Sequence, residues 1–465
     1  MDNRDLGAAF SDGALRILEA LRRNGNQAYI VGGAVRDVLS GDAPHDEDIA
    51  TDGDAERITA ALRPLGGRQI DRGGGRFGTV VLLLDGAEYE ITTFRSDGSY
   101  SDGRHPDAVT FSRDVEEDLR RRDFTMNAIA WSPLTGLRDP FGGIRDIRAR
   151  LIRAVGDPEE RLREDPLRML RGVRFAIERD CEVEERTLEA IRRCAPLLGG
   201  VSRERIGQEF LKMFSAGTLH RTVLLHESGL LAVISPALDR MFSCGQNTPY
   251  HRMDVGRHTC AVLERCTGTD VRFAALLHDA GKPEVRTVGP TGFDRFFGHG
   301  ERSAAIAEEF MREYRFSRAR TDYVTALTAA HDELQAFWET KHPRRMVRDF
   351  LMRHQTEPER FFTDLMELKR ADLAAQDPAH PTWEARAQAL DELERILREW
   401  IWKGLPRRVA DLAVNGRDLM AAGFTGPRIA EEKTRLLRLV MDDPGLNTRE
   451  ALLRRLSGRT GAAEE

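Results

Sequence analysis

Two aspartates one residue apart, Asp46 and Asp48, follow an apolar segment that is broken by paired glycines in IVGGAVRDVLSGDAPHDEDIAT. Side chains two apart on a strand project to the same face, so this pair would point together while Glu47 points away. Glu90, in the strand-like run YEITTF, supplies a third carboxylate. Three carboxylates at a sheet edge can hold two Mg²⁺ ions, because Mg²⁺ prefers oxygen ligands and shares them with substrate phosphates. Such ions activate an attacking hydroxyl and stabilise leaving pyrophosphate, which predicts nucleotidyl transfer with Asp46, Asp48 and Glu90 as catalytic residues.

The paired glycines, Gly32 and Gly33, lie at a predicted junction between a strand and a helix. A residue without a Cβ lets the backbone approach a ligand closely, and free N–H groups at the start of a helix bind phosphate. The two glycines are therefore predicted to bind a nucleoside triphosphate, and Arg36 falls one turn into the same helix. An ordinary turn followed by an acidic loop is the alternative that either motif alone would favour.

A second pattern, EDPLRMLRGVR, spaces Asp165, Arg168, Arg171 and Arg174 three residues apart. A helix would align all four in one stripe, with Pro166 in its first turn. A carboxylate beside a guanidinium matches the amino donor and ring-nitrogen acceptor on the pairing edges of cytosine and adenine, whereas uracil and guanine present the reverse order. Asp165 and Arg168 would then select CTP and ATP without a nucleic-acid template, while Arg171 and Arg174 contact triphosphate or orient the base. The alternative is a ladder of intrahelical ion pairs.

These candidate residues need two kinds of scaffold. Residues 1–155 contain short strand-like runs separated by Gly, Asp and Pro, such as AYIVGG, FGTVVLLL and AEYEITTF. From about residue 156 onward, apolar residues recur at helical spacing, as in PLRMLRGVRFAIERD and TDYVTALTAAHDEL. The pattern predicts an α+β fold with an α/β head and a long helical body. A chain of 465 residues exceeds what one hydrophobic core supports, so we expect two to four domains.

The bulk composition, 41% hydrophobic and 31% charged, predicts a globular, soluble protein. No apolar run approaches the roughly 18 residues that cross a bilayer, and the start MDNRDLGAAF is acidic where a signal peptide is basic, so we expect a cytoplasmic protein without membrane contact. The five cysteines lack a C-x-x-C, which argues against a disulfide framework and a cysteine zinc site. The net charge of −6 would disfavour nucleic acid, but arginines concentrate between Arg113 and Arg174. They form either a phosphate-attracting surface or a solvated helical face.

Six motifs in order, GGAVRD with DEDIAT, YEITTFR, RRDFTMNAIA, DPFGG and REDPLRMLRGVRF, give the chain a family resemblance. It resembles bacterial class II CCA-adding enzymes and is similar to the related bacterial poly(A) polymerases of the polymerase β superfamily. In one respect it departs from that pattern: the middle of the D-x-D motif is Glu47, where the family usually has an apolar or aromatic residue.

The resemblance implies a role for each matching position. Gly33 and Arg36 would hold the triphosphate; Arg122 and Asp123 would address sugar and phosphates, with Asn127 nearby. It also implies a polymerase-β-like nucleotidyltransferase head with a small mixed sheet, followed by an all-α neck, body and tail that bind the acceptor and TΨC arms of tRNA. The expected domains are the catalytic head 1–155, a templating and RNA-binding neck 156–245, an HD phosphohydrolase domain 246–335, and a tRNA-binding body and tail 336–465.

The HD domain is implied by the segments HRMDVGRHTCAVLERC, ALLHDAGKPEV, FGHGERSA and LTAAHDE. By this resemblance the metal ligands are His258, His278 and Asp279, with His299 and His331 as further candidates, and Lys282 contacts phosphate. Imidazole with carboxylate suits a transition metal, and Mn, Ni, Fe and Zn all remain open. We expect hydrolysis of 2′,3′-cyclic or terminal phosphates, in addition to Mg²⁺-dependent transfer in the head.

Several alternative functions remain open from sequence. A poly(A) polymerase shares the catalytic motifs but typically has an arginine-rich GRRF continuation, whereas this chain has GGGRFGTVVLLL. A CC-adding or A-adding enzyme would act with a partner; the loop RSDGSYSDGRHPDAVTF favours complete CCA addition. A different class is an HD phosphohydrolase whose head only binds nucleotide. A signalling uridylyltransferase also joins the two domain types, but this chain lacks room for its regulatory domains.

Overall fold

The computed structural model describes residues 3–70, 78–98, 108–333, 337–354 and 356–460. The chain divides into two compact units, Met1–Asp239 and Arg240–Glu465. The first contains a mixed sheet with helices, and the second is almost entirely helical. The predicted α+β fold, a head with a small mixed sheet followed by a helical region, is confirmed.

The strands of the N-terminal unit are short. They are β1 Ala28–Val31, β2 Ile49–Thr51, β3 Arg68–Ile70, β4 Thr79–Leu84, β5 Ala87–Thr93, β6 Arg95–Asp97, β7 Val109–Phe111, β8 Ala130–Ser132, β9 Gly136–Arg138, β10 Leu151–Ile152 and β11 Glu182–Val183. Strands β1, β4 and β5 fall within the predicted runs AYIVGG, FGTVVLLL and AEYEITTF, whereas β3, β6, β9, β10 and β11 lie outside them. Over the part of the chain that is described, seven of them form one sheet in the order β3-β4-β5-β2-β1-β8-β9. Only the pairing of β2 with β5 is parallel in that sheet.

Helices cover this sheet and continue into the rest of the N-terminal unit. They are α1 Asn3–Gly7, α2 Asp12–Arg23, α3 Gly33–Ser40, α4 Ala55–Leu62, α5 Val115–Arg120, α6 Gly143–Arg148, α7 Pro158–Glu164, α8 Leu167–Arg179, α9 Glu185–Cys194, α10 Arg203–Ser215, α11 Leu224–Glu227, α12 Leu230–Ile234 and α13 Pro236–Asp239. The predicted helical run PLRMLRGVRFAIERD corresponds to α8.

The sheet is covered on both faces, which explains why β1 is apolar throughout. Because successive side chains on a strand alternate, Ile30 packs into the cluster formed with α2, α3 and α4, whereas Tyr29 and Val31 pack into a second cluster with α5. The sheet is thereby held rigidly between two hydrophobic layers. Its central strands β1, β2 and β5 can position polar side chains at their ends.

The C-terminal unit consists of helices and one short ribbon. The helices are α14 Val255–Leu263, α15 Thr269–Leu277, α16 Lys282–Val285, α17 His299–Glu313, α18 Arg318–Ala330, α19 Pro343–Arg353, α20 Pro358–Ala374, α21 Trp383–Trp402, α22 Gly416–Ala421, α23 Pro427–Asp442 and α24 Arg449–Thr460. The ribbon pairs β12 Thr287–Val288 with β13 Asp294–Arg295.

Two sequence arguments fall partly or wholly on segments that are not described. The GGGRF run overlaps residues 71–77, and the loop that favoured complete CCA addition includes residues 99–107; both ranges lie outside the described residues. The flanks of that loop form the paired strands β6 and β7. Among the described helices, none combines the length and the apolar character needed to span a membrane.

Candidate active site

Asp48 and Glu90 are brought together by the parallel pairing of β2 with β5. Ile49 on β2 is paired with Ile91 on β5, so the residues one step earlier on each strand lie side by side. Both carboxylates line the same cavity of about 300 Å³. The structure therefore gathers two of the three predicted catalytic carboxylates from segments that are 42 positions apart in sequence.

Asp46 reaches this region through a turn and not through a strand. β2 begins at Ile49, and Asp46 has a φ of 49°, in the left-handed region. The Asp48 N–H donates to the Asp46 carbonyl oxygen at 2.9 Å. The prediction that strand alternation aligns these two side chains is wrong, because the pair precedes the strand. As a result, Asp46 is not among the residues that line the cavity.

Glu47, the unusual middle residue of the motif, is bonded to the start of α2. Its carboxylate accepts hydrogen bonds from the Ser11 N–H at 2.8 Å and from the Ser11 hydroxyl. The Ser11 oxygen also lies 3.0 Å from the Tyr89 hydroxyl oxygen. A carboxylate at a helix N-terminus interacts favourably with the helix dipole. Glu47 thus links the turn that contains Asp46 and Asp48 to the start of α2 through hydrogen bonds. An apolar residue could not accept these bonds.

The charges of the site favour a bound cation. Limited access to water, together with the charges of Glu90 and Asp46, raises the pKa of Asp48 to about 6 against the opposing effect of Arg122. The side-chain carboxylates of Asp46, Asp48 and Glu90 make no hydrogen bond or ion pair with the part of the chain that is described. Hard oxygen donors that have no protein partner are the ligands that Mg²⁺ prefers, so these residues fit a divalent ion.

The opposite wall of the cavity is formed by residues from α5, from α8, from the segment that follows α5 and from the segment that precedes α8. The full lining is Val31, Asp48, Ile49, Ala50, Glu90, Thr92, Asp118, Arg121, Arg122, Asp123, Asp165, Arg168 and Arg171. The carboxylates of the sheet therefore face a group of guanidinium side chains across one small cavity. Of the predicted nucleotide-binding residues, Gly32, Gly33, Arg36, Asn127 and Arg174 do not line it.

Gly32 permits an arginine to lie directly over the turn between β1 and α3. Its φ is 74°, which favours glycine, and a Cβ built there would lie 2.5 Å from Nη1 of Arg122. The Gly32 N–H is already bonded to the Ile129 carbonyl oxygen at 3.1 Å, so the prediction that it is free for phosphate is wrong. Gly33 is the first residue of α3.

Arg36 belongs to a buried polar chain behind the cavity. Its guanidinium donates to Asp37 at 2.8 Å and to the Asn127 side-chain oxygen at 2.6 Å. The Asn127 amide donates to Asp123 at 2.9 Å, and Asp123 accepts two further bonds from Arg171 at 2.8 and 3.0 Å. Although burial alone would raise it, the pKa of Asp123 is held low by Arg171 and Asn127. Arg36 therefore orients the cavity wall and does not contact the cavity itself.

The predicted base-reading pair is present in the cavity, but with partners of its own. Asp165 lies between α7 and α8, so the prediction that it belongs to the helical stripe is wrong. Its carboxylate accepts the Leu167 N–H at 3.1 Å and the Arg205 guanidinium at 2.7 Å. Arg168 donates to Glu164 at 2.6 Å and to the Arg121 carbonyl oxygen at 3.1 Å. Both side chains are thus held in place before any nucleotide enters.

Arg174 is buried on the side of α8 that faces α10. It donates to Glu209 at 2.6 Å and to Glu178 at 2.8 Å, and its guanidinium carbon lies 4.2 Å from the centre of the Phe175 ring. Sequence reasoning did not identify Arg205 or Glu209 as partners of the cavity wall. No spacing rule pairs these residues with positions 165 and 174, because the contact is between helices.

The C-terminal unit contains a second cluster of candidate ligands. Within the described residues, two groups have ligand atoms that all lie within 4.8 Å of one another: His258, His278 and Asp372, and Asp279, His299 and His331. All five residues predicted from the HD resemblance are therefore gathered in one region, together with Asp372 from α20. Lys282 lies beside them, with its ammonium nitrogen 2.7 Å from Asp279 Oδ2 and bonded to Gln246 at 2.9 Å.

Three of these histidines are oriented by the same backbone contact. Each is hydrogen bonded through Nδ1 to the carbonyl oxygen three residues earlier: His278 to Ala275 at 2.7 Å, His299 to Phe296 at 2.8 Å and His331 to Thr328 at 2.6 Å. This bond places the proton on Nδ1 and leaves Nε2 as a free ligand atom. The orientation is the one that a metal site requires.

The inward-facing atoms of the cluster also fit a transition metal. The Nε2 atoms of His299 and His331 lie 3.1 Å apart, and Nε2 of His278 is buried without a hydrogen bond among the described residues. Burial lowers the pKa of His331 to about 4, which keeps it neutral and able to coordinate. His278 and Lys282 hold the pKa of Asp279 well below its usual range, although burial alone would raise it.

Asp372 is the ligand candidate that sequence reasoning missed. It is hydrogen bonded to His258 Nε2 at 2.9 Å, yet it lies in DLMELKRADLAAQ, a segment assigned to the tRNA-binding body. A single aspartate in a charged helix has no distinguishing pattern. Only the packing of α20 against α14 and α15 brings it to the histidines.

Comparison with known protein families agrees with this architecture. Residues 28–153 match the family described as "Poly A polymerase head domain", residues 180–242 match "Probable RNA and SrmB- binding site of polymerase A", and residues 250–375 match "HD domain". The HD match therefore includes Asp372 and extends past the expected boundary at residue 335. Fold and site together define a polymerase-type nucleotidyltransferase head followed by an HD domain.

Individual relatives identify the family within this class. The CCA-adding enzyme of Latilactobacillus sakei is 34% identical over 450 residues, covering 95% of this chain and 96% of that protein. The chain belongs to the family of CCA-adding enzymes. The CCA-adding enzyme of Geobacillus stearothermophilus is 47% identical over 222 residues, and the chain spans only 54% of that relative's length in this match. The crystal structure of the Bacillus stearothermophilus CCA-adding enzyme in complex with CTP has a TM-score of 0.67 at 30% identity, covering 97% of this chain and 98% of that one.

Proposed function

We propose that the protein adds the sequence CCA to the 3′ end of tRNA, using CTP and ATP and releasing pyrophosphate. The observation that carries this proposal is that Asp48 and Glu90 share one cavity of about 300 Å³ with Asp165 and Arg168. Carboxylates for phosphoryl chemistry and a donor–acceptor pair for base selection are thus within reach of one nucleotide. The family of CCA-adding enzymes, to which the chain belongs, supports the assignment.

In the proposed reaction, the 3′ hydroxyl of tRNA attacks the α-phosphate and the bond to pyrophosphate breaks. Asp46, Asp48 and Glu90 would hold divalent metal of the Mg²⁺ kind. When bound, such ions activate the hydroxyl and stabilise the charge on pyrophosphate. Arg122 and Arg171 line the cavity and would supply positive charge toward the triphosphate. The Gly33 N–H, at the start of α3 and outside the cavity lining, is proposed as a further donor.

Base selection would depend on Asp165 and Arg168. Arg205 and the Leu167 N–H fix the Asp165 carboxylate, while Glu164 fixes the Arg168 guanidinium. Cytosine and adenine can donate an amino proton to the carboxylate and accept from the guanidinium, and uracil and guanine cannot. Because the pair is held by the protein, one site serves both nucleotides without a template strand.

The RNA partner would be bound mainly through its phosphates. We assign residues 156–245 to templating and RNA contact and residues 336–465 to the acceptor and TΨC arms of tRNA. Such contacts make affinity depend strongly on salt and require recognition of shape more than of sequence. Since the substrate is tRNA, the proposed location is the cytoplasm.

A direct test supplies the protein and Mg²⁺ with tRNA that lacks its 3′ end, together with CTP, ATP or both, and resolves the products at single-nucleotide resolution. Addition of C, C and A followed by arrest is the expected result. A long adenosine ladder would establish a poly(A) polymerase, and a stop after CC or the addition of A alone would establish a partial enzyme. The control is UTP with GTP, which should give no extension.

We propose a second activity, metal-dependent phosphohydrolysis of 2′,3′-cyclic or terminal phosphates, at the HD cluster. The supporting observation is the set of three histidines whose Nε2 atoms are presented inward by the same backbone bond. Imidazole with carboxylate suits Mn, Ni, Fe or Zn, and a bound ion of this kind would activate water. Metal analysis of the purified protein together with a phosphatase assay tests it. Absence of both transition metal and hydrolysis would reject the proposal.

A further inference from the structure

The cavity at the HD cluster is much larger than a metal site requires. Its volume is about 800 Å³, compared with about 300 Å³ for the cavity in the head. The candidate metal ligands occupy one part of its wall. Another part is formed by α20 and α21, which present Lys369 and Arg386 to the cavity.

Lys369 is bonded to no carboxylate among the described residues. Its ammonium group makes no ion pair or hydrogen bond with the described residues and lies 5.7 Å from the centre of the Phe337 ring. Burial lowers the pKa of Lys369, with Asp372 and Asp332 opposing the shift. A lysine that loses hydration without gaining a direct ion pair is destabilising unless an anion occupies the adjacent space.

Arg386 is held toward the metal ligands by one amide. Its guanidinium donates to the Gln376 side-chain oxygen at 2.7 Å, and the Gln376 amide donates to both oxygens of Asp372 at 3.1 Å. The guanidinium carbon lies 5.5 Å from the centre of the Tyr250 ring, and no carboxylate of the described chain pairs with it. Gln376 thus links Arg386 to Asp372, a candidate metal ligand, through two successive hydrogen-bonded contacts. The Arg386 side chain lines the cavity.

The overall charge of the cavity indicates what it would attract. The carboxylates and the lysine and arginine side chains that line it are nearly equal in number, and Asp294 is neutralised by Arg286 outside the lining. Divalent ions at the histidine groups would therefore leave a clear excess of positive charge. A phosphomonoester, with up to two negative charges, compensates this excess better than a diester with one.

We propose that Lys369 and Arg386 form a phosphate-binding subsite of the HD cavity, which makes it selective for phosphomonoesters. This inference rests on the proposed phosphohydrolase activity. In the reaction, water attacks phosphorus, the ester P–O bond breaks, and the alcohol leaves with one of the water protons, so that inorganic phosphate is the second product. Lys369 and Arg386 bind the non-bridging oxygens and take no proton.

The test measures binding of inorganic phosphate to the full-length, Mn²⁺-loaded protein by isothermal titration calorimetry, with metal content determined on the same samples. The variants are Lys369→Gln and Arg386→Gln. Matched controls are Arg370→Gln on the same helix as Lys369, whose side chain pairs with Asp391 and Glu394, and Arg395→Gln on α21, which pairs with Glu392.

We expect each cavity variant to bind phosphate at least tenfold more weakly at unchanged metal content, while both controls bind like the wild type. Equal binding by all proteins, or no binding by the wild type, would overturn the subsite. Loss of metal in Arg386→Gln would also overturn it, since Arg386 would then only support Asp372. Hydrolysis of p-nitrophenyl phosphate against bis(p-nitrophenyl) phosphate is measured separately, so that failure of the phosphohydrolase proposal shows as no turnover even where phosphate binds.

Discussion

The two candidate metal sites differ in how far the protein alone has assembled them. In the C-terminal unit, six ligand candidates lie in two compact groups within the described residues, and backbone carbonyls orient three of the histidines. In the N-terminal unit, the carboxylates of Asp46, Asp48 and Glu90 are unpaired and form no such compact group. In that cavity it is the arginines that are already hydrogen bonded, for example Arg168 to Glu164 and Arg171 to Asp123.

This difference predicts whether each site would retain its metal ion or exchange it. A preset cage of imidazole and carboxylate binds its ion as a lasting part of the fold. A cluster of repelling carboxylates instead gains its stability when ion and triphosphate arrive together, as Mg²⁺ shared with substrate phosphates does. Under the proposed functions, the head would exchange nucleotide and ion in each cycle, whereas the HD cluster would retain its ion.

The largest expected effect comes from changing Asp48, which is proposed to bind metal in the head. Asp48→Asn should lower CCA addition by about a thousandfold or more, because it removes charge that only the two-ion transition state uses. Transition-metal content and phosphate hydrolysis should stay at the wild-type level. Primer-extension kinetics with metal analysis checks this; loss of both activities would show that the two sites are not independent.

The reciprocal change should abolish only the second activity. Asp279→Asn removes a candidate ligand that lies 3.2 Å from His278 and 2.7 Å from Lys282, so the metal and phosphate hydrolysis should be lost. CCA addition should change by no more than about twofold, since the residue lies in a different compact unit. Parallel assays on one preparation measure both, and retention of metal would argue against the cage.

Changing the base-reading pair should affect selectivity more than rate. Arg168→Ala removes the donor proposed to face cytosine and adenine, and the preference for CTP and ATP over UTP and GTP should fall by about tenfold to a hundredfold. Competition assays measure the ratio. The matched control is Arg163→Ala on α7, an exposed residue paired with Glu159. An unchanged ratio in Arg168→Ala would reject the templating role.

The smallest effect is expected at Glu47. Glu47→Ala removes the bonds to the Ser11 N–H and hydroxyl, and the free energy of unfolding of the N-terminal unit should fall by about 1 kcal/mol. Urea unfolding followed by tryptophan fluorescence measures it. Glu56→Gln, a charge change in the first turn of α4, is the control. A stability equal to the wild type would show that the tie to α2 contributes nothing.

Sequence reasoning succeeded where a local pattern has one structural meaning. The runs AYIVGG, FGTVVLLL and AEYEITTF contain β1, β4 and β5, and the helical run PLRMLRGVRFAIERD corresponds to α8. It failed where the exact end of an element mattered. Asp46 and Asp165 were assigned to a strand and to a helix, and both lie just outside those elements. Single residues at element ends depend on backbone turns that alternation and three-residue spacing do not describe.

The amino-acid sequence by itself determined the order of the elements, the ordered motifs and the chemical types of the candidate ligands, because these follow from periodicity and residue chemistry along the chain. Only the tertiary structure decided which of them meet. The pairing of β2 with β5 sets Glu90 beside Asp48, and helix packing sets Asp372 beside His258. In the tertiary structure, Arg36 and Arg174 do not line the cavity, because they pair with the buried carboxylates of Asp37 and Glu209. The energy of such contacts depends on residues far apart in sequence, so no local pattern contains them.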